Sequence, residues 1–404
     1  MDCALVIFRS SISGGTATLS IRIGEWFLKN GHEVLYICQE YNDLNNVRIM
    51  NELGIKVHKW ELSKIKLLFK QNYNYNNYIA LTYTLDEFIF VESIMNEINI
   101  FKNILYVVSY GGLIKGVSYN NSIKYIIKKF YGNIILKLNN NKCIVYMDKE
   151  QYKADRLYYS INNKCKETIV YYLPMQLKKY NILIINTKIK LNVFNILSIA
   201  RADFPFKGYL IGLIDDFSIL SNKYDNITLT IISFGKNEKD IIAKINSLPY
   251  QIKSKVKYIG QTSYDDLPKY FSISHLYIGM GTTLLDAVNE GVPSIVVQPY
   301  TYENRSSGFF HMQPERLAAY EDKSVPAIKY IESVINMDKT EYSNLCRTEY
   351  ESLEKNYDIE KFGKFILLNE KIVKSNNLSK IEILMHNIFK IFNTLIKINQ
   401  INSK

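Results

Sequence analysis

The stretch YIGMGTTLLDAVNEGVPSIV, Tyr277 to Val296, decides how this chain folds. HLYIGM before it is short, apolar and β-branched, as in a strand buried on both faces. Gly279 and Gly281 free the backbone, Thr282 or Thr283 can cap a helix, and that helix runs to a stop at Gly291-Val-Pro. PSIVVQ then restarts a strand. A strand, a glycine turn, a helix and a second strand in so few residues form the repeating unit of a parallel sheet. Asp286 stands about one turn into the helix, where a carboxylate either answers the positive helix end, worth about 0.3–1 kcal/mol, or accepts hydrogen bonds from a ligand.

Working outward, the same alternation covers the second half: FNILSIA, GYLIGLIDDFSILSNKY, NITLTIIS, EKDIIAKINSL, KVKYIG and DDLPKYFSI. The first half repeats it through CALVIF, TATLSIRIGEWFLKN, EVLYIC and VRIMNELGIKVHKW, with further strands expected at YIALTY, NILYVV and CIVYMD. A chain of 404 residues is long for one core. The expectation is therefore two doubly wound, Rossmann-like α/β domains, residues 1–178 and 179–355, with a cleft between them. Residues 356–404 form a C-terminal helical extension that returns to the first domain. The change of domain falls in the lysine-rich region near residues 164–190, which has no Gly- or Pro-rich linker.

Composition narrows the function classes. The net charge of +11 points to an anionic partner, or reflects a Lys/Asn/Ile/Tyr bias of the coding DNA. Five scattered cysteines (Cys3, Cys38, Cys143, Cys165, Cys346) lack a Cys-x-x-Cys pair, which suits a reducing cytoplasm. MDCALVIFRSS reads as a first strand rather than a signal peptide, and no apolar run of about 20 residues is present. Two basic amphipathic segments, SIKYIIKKFYGNIILKL and LSKIEILMHNIFKIFNTLIKINQINSK, either pack on the body of the protein or dock on an anionic membrane. No ordered basic and aromatic stripe supports nucleic-acid binding.

Ligands of doubly wound sheets collect beyond the carboxyl ends of strands. Three loops reach such ends. SGGTA, with Gly14 and Gly15, is either a tight turn or a close approach to an oxyanion, and it lacks the Gly-x-Gly-x-x-Gly spacing of dinucleotide sites. RADFPFKG sets Arg201 after a strand and Lys207 before a helix; two like charges cannot pair with each other, but a diphosphate satisfies both. The third is the opening stretch. No Asp-x-Asp, zinc-ligand spacing or Gly-x-Ser-x-Gly elbow occurs, so neither a metal nor another cofactor is expected.

Together these loops resemble the retaining nucleotide-sugar glycosyltransferases of family four, which have the two-Rossmann GT-B fold. The resemblance implies that Arg201 and Lys207 hold the diphosphate, that backbone groups at Gly281, Thr282 and Thr283 touch the same phosphates, that Gly14 and Gly15 close from the other domain, and that Asp286 binds the nucleotide ribose. It further implies metal-independent transfer, with retention, from a nucleotide-diphosphate sugar to a glycan or lipid-linked acceptor in cell-envelope polysaccharide synthesis. Such an enzyme would be cytoplasmic and peripheral at the inner face of the plasma membrane. The family's signature has two glutamates; here the second is Asp286 and the first falls on Ile278. No histidine among His32, His58, His275, His311 and His386 takes the family's first-domain role by position. Two other readings share the fold: a sugar-nucleotide epimerase, and a nucleotide-sugar-binding protein without turnover.

Overall fold

Short runs of Ile, Val, Leu and Tyr become strands because both faces of each sheet are covered by helices, so no polar alternation is needed. A computed structural model of the chain describes residues 3–12, 15–61, 65, 67, 69, 77–95, 100–108, 112–113, 121–161, 168–368 and 377–402. The chain divides into two compact units, Met1–Gln176 with Ile359–Lys404, and Leu177–Asp358.

In the first unit the strands are β1 (Cys3–Ser11), β2 (Glu33–Glu40), β3 (Lys56–Lys59), β4 (Asn77–Thr82), β5 (Ile100–Val107), β6 (Ile144–Tyr146) and β7 (Ile169–Val170). They pair in the order β3-β2-β1-β4-β5-β6-β7, and every pairing is parallel. The strand order reverses direction between β1 and β4, which makes that seam the switch point where a doubly wound sheet opens a crevice. Helix Ile359–Leu368 packs on helix Gly15–Lys29 through Gly363, where an added Cβ would lie 2.2 Å from the Trp26 ring, and Trp26 Nε1 donates to Glu360 at 2.7 Å. Helix Lys380–Asn402 lies against helix Asn121–Asn140 through Phe389 on Phe130 and Lys137 to Glu382 at 2.9 Å. Glu92, buried, receives the amides of Asn377 and Leu378, so the last segment is tied to the unit by charged hydrogen bonds.

The second unit holds β8 (Phe194–Arg201), β9 (Ile227–Phe234), β10 (Val256–Ile259), β11 (Leu276–Gly279), β12 (Ser294–Val297), β13 (Arg305–Phe309) and β14 (Val325–Pro326), in the order β10-β9-β8-β11-β12-β13-β14. The pairings from β10 to β12 are parallel; β13 and β14 run antiparallel at one edge. That edge departs from a wholly parallel sheet. The link from β12 to β13 is too short to carry a crossover helix, and an antiparallel return needs none. Here the order reverses between β8 and β11, the two strands that the Arg/Lys loop and the glycine turn follow.

Candidate functional site

The seam between β8 and β11 is pinned from beneath. Tyr277, fully buried on β11, places its hydroxyl 3.1 Å from the Ile199 carbonyl on β8 and 2.6 Å from Thr283 Oγ1. Gly279 has to be glycine, since a Cβ there would stand 2.5 Å from the Tyr277 hydroxyl oxygen. Gly281 takes φ +82°, a left-handed turn that L side chains resist, and so swings the chain into helix Thr282–Asn289.

Around this seam the sequence-selected residues fall as follows. Arg201 ends β8 and is exposed; among the described residues its guanidinium has no acidic partner. Lys207 is partly buried, its ammonium 3.5 Å from the Met280 carbonyl and 4.9 Å from the centre of the Phe206 ring. No carboxylate among the described residues neutralises it. Burial, and secondarily the neighbouring Arg201 charge, push the Lys207 ammonium down to about 8. Helix Tyr209–Lys223 follows, with Gly208 at its start. The Arg/Lys loop and the glycine turn therefore meet: Lys207 reaches across the seam to Met280, inside the turn.

The turn itself differs from expectation in two respects. Neither Thr282 nor Thr283 caps the helix: the N-cap is Gly281, with no side-chain cap, because the Thr283 hydroxyl is turned down to Tyr277 and Ile199. The Gly281 amide donates to Leu317 O at 2.8 Å, so it is already engaged within the unit. The next two amides, of exposed Thr282 and half-buried Thr283, are first-turn donors with no intrahelical acceptor. Asp286 lies deeper than a freely exposed ligand: it is 7% exposed, and its Oδ1 accepts from the Tyr264 hydroxyl at 2.8 Å. Tyr264, itself 52% exposed, comes from the loop after β10 and was not singled out by sequence. Ile278 is wholly buried in the core of the unit, an aliphatic wall where the family's first glutamate would stand.

In the first unit Gly15 is exposed at the start of helix Gly15–Lys29, and Gly14 lies outside the described residues. Beside that helix start, at the β1/β4 switch point, is a buried network that sequence reading passed over. Arg9, 8% exposed, pairs with Glu87 at 3.0 Å, donates to Thr16 Oγ1 at 2.9 Å and lies over the Tyr83 ring. Glu87 also accepts from the amides of Ser10, Tyr83 and Thr84. The available signal was Thr84-x-x-Glu87, a capping box that the structure forms in full. Among the described residues no group of three or more His, Cys, Asp or Glu is placed to hold a metal ion, and no helix is long and apolar enough to cross a membrane.

No family model matches the sequence, and no curated protein is similar to it. Solved structures are similar across nearly the whole chain. A glycosyltransferase from Rickettsia africae matches with a TM-score of 0.62 at 15% identity, over 91% of this chain and 99% of that one. Anabaena HepE in complex with UDP matches with a TM-score of 0.59 at 13% identity, again over 91% and 99%. Sucrose-phosphate synthase from Thermosynechococcus elongatus matches with a TM-score of 0.55 at 14% identity, over 90% and 96%. Likeness at such low identity establishes the fold: the chain has the two Rossmann-like domains of GT-B glycosyltransferases, as the motif resemblance implied.

Proposed function

We propose that this protein is a glycosyltransferase that moves a sugar from a nucleoside-diphosphate donor to a hydroxyl of a glycan or lipid-linked acceptor, with retention and without a metal. One observation carries the reading. Among the described residues two cations, Arg201 exposed and Lys207 partly buried, have no counter-charge at the switch point of the second sheet, beside two first-turn amides with no intrahelical acceptor. An uncompensated ammonium held away from water is costly, and a diphosphate is the ligand that removes the cost. The fold shared with HepE, which was crystallised with UDP, supports the same donor class.

In the proposed reaction the bond between the anomeric carbon and the β-phosphate oxygen breaks, and its electron pair leaves with the diphosphate. The acceptor oxygen forms the new bond on the same face, and its proton passes to the departing phosphate. Arg201 and Lys207 stabilise the growing charge, each such contact being worth about 2.7–4 kcal/mol in a preorganised site. Asp286, its carboxylate oriented by Tyr264, accepts from the ribose hydroxyls. The test is a thermal-shift screen of nucleotide sugars, followed by turnover of the stabilising donor with glycan acceptors. Absence of any nucleotide-dependent stabilisation would overturn the reading.

A cytoplasmic, peripheral seat on the anionic inner face of the plasma membrane, in cell-envelope polysaccharide synthesis, belongs to this proposal. Its support is the exposure of Ile123, Tyr125 and Ile126 beside Lys124 and Lys129, and of Ile391 and Phe392 beside Lys390. Failure to bind anionic vesicles at low salt would remove the membrane. Ile278 favours a second reading, nucleotide-sugar binding without turnover, since a buried isoleucine supplies no acceptor for the donor sugar. Tight donor binding with no transfer and no change of the donor sugar would establish it, whereas conversion of the donor alone would mark an epimerase.

A further inference from the structure

The second unit contains a groove of about 470 Å³ between helix Ile182–Ile189 and the first turns of helix Lys339–Tyr357. Its volume lies within the range of small-molecule sites, roughly 300–1,000 Å³. Helix Ile182–Ile189 leads into the amino end of β8, and the Tyr342 hydroxyl donates at 2.8 Å to the carbonyl of His275, the residue before β11. The groove therefore borders the amino edge of the sheet. Arg201 ends β8 at the carboxyl edge, and a strand of this length, at about 3.3 Å per residue, sets the two regions roughly 25 Å apart.

Three cations converge on the groove: Lys190 from the end of the first helix, Lys339 and Arg347 from the second. All three are exposed, and among the described residues none forms an ion pair. The acids at this helix start are engaged by backbone: Asp338 accepts from the amides of Thr340 and Glu341 at 2.7 and 2.9 Å, and Glu341 accepts from the amide of Asp338 at 3.0 Å. Arg347 has the Tyr180 hydroxyl, a neutral group, beside it. Elsewhere on this unit exposed lysines are met by acids, Lys223 by Glu332 at 2.7 Å and Lys269 by Asp266 at 3.0 Å. Like charges gathered round one concavity repel one another, and an anion seated among them relieves the repulsion.

The lining chemistry selects the ligand class. A guanidinium offers a planar fork and the ammonium groups act as point charges, a set that suits a phosphate. Asn186, Ser343 and Asn344 add groups that both donate and accept, so hydroxyls carried beside the phosphate find partners. Among the described residues no carboxylate lines the groove to hold a cationic ligand, and Ile189 is the sole apolar residue on its wall.

We propose that this groove is an anion site, independent of the transfer reading, that takes a phosphorylated polyol, whether a soluble ester or the head of an anionic lipid. The full chain carrying Arg201→Ala and Lys207→Met is used, so that phosphate bound at the loop after β8 does not enter the reading. Calorimetric titration with glycerol 3-phosphate measures the soluble ligand. Flotation with phosphatidylcholine vesicles, with and without phosphatidylglycerol, measures the lipid head. The expected result is saturable binding of at least one probe, weakened about tenfold for each cation removed by Lys339→Gln and Arg347→Gln. Lys253→Gln with Lys257→Gln, which removes two exposed charges elsewhere on the unit, should leave binding unchanged. Circular dichroism melting confirms that each variant is folded. Binding of glycerol 3-phosphate identifies a soluble ligand, and binding only to vesicles that contain phosphatidylglycerol identifies a lipid; either supports the site. Binding of neither probe, full binding in the Lys339→Gln/Arg347→Gln variant, or equal loss in the Lys253→Gln/Lys257→Gln variant would overturn it.

Discussion

Replacing Lys207 by methionine tests the central electrostatic argument, because it should raise the stability of the ligand-free protein while removing its donor binding. The folded state holds the Lys207 ammonium at about 8 against an ordinary 10.5. At about 1.36 kcal/mol for each tenfold change in proton affinity, that is a charging cost of roughly 3 kcal/mol. The ammonium keeps partial contact with solvent, which screens it, so about 1–2 kcal/mol is the working figure. Methionine retains the packing of the stem and carries no charge. For a domain of this size each kcal/mol moves Tm by about 2–4 °C, so Lys207→Met should melt about 2–8 °C higher at pH 7.

The sign of the pH dependence is fixed by the same numbers. Below pH 8 both folded and unfolded chains carry the charge, and the folded state bears its full cost. Between about 8 and 10.5 the unfolded chain holds more protons, so this group's contribution to wild-type stability rises with pH. That rise should be absent from the variant. Saturating UDP should stabilise the wild type, by about 2.7 kcal/mol at a hundredfold excess over Kd, and leave the variant unmoved. Calorimetry across the pH range, with and without UDP, reads all three effects. A variant less stable than wild type at pH 7 that still gains from UDP would refute the uncompensated-cation argument.

Arg201→Ala provides the contrast, since the guanidinium is exposed: ligand-free stability should stay within about 0.5 kcal/mol while transfer falls about 10²–10³-fold in steady-state assays. Unchanged turnover in this variant would remove Arg201 from the phosphate site. Asp286→Asn keeps the shape and the Tyr264 contact but loses the charge, so UDP affinity by titration calorimetry should weaken about tenfold. Equal affinity would place the ribose elsewhere. In the first unit, Glu87→Ala leaves Arg9 buried and unpaired and should cost about 3–5 kcal/mol in denaturant unfolding, with the Arg9→Met/Glu87→Met double variant recovering part of it. A loss below about 1 kcal/mol would show that Arg9 finds other partners.

The parts of this molecule that a reader of the sequence can recover are those whose cause is local. β8 and β11 declare themselves through short runs rich in Ile, Leu and Tyr, and the Gly279–Gly281 turn through residues that tolerate close approach and positive φ. β13, Arg305–Phe309, is hidden because RSSGF has neither alternation nor bulk, and its strand state comes from pairing with β12. The engagements that qualify the site are all distant in sequence: Gly281 with Leu317, Asp286 with Tyr264, Arg9 with Glu87. Their partners sit on loops, turns and a helix start brought together only when a strand is inserted beside another that is not its neighbour in the chain. Arg201 and Gly281 are separated by two strands in sequence, yet they follow adjacent strands because the order turns back between β8 and β11. Strand order explains why residues chosen one by one, each with an ordinary structural explanation, converge. A reversal places the ends of two adjacent strands against helices on opposite faces, and the space left between those helices has to be lined by whatever the two loops carry. In this chain the loops carry two cations and a helix start, and among the described residues the packing supplies no carboxylate to meet them.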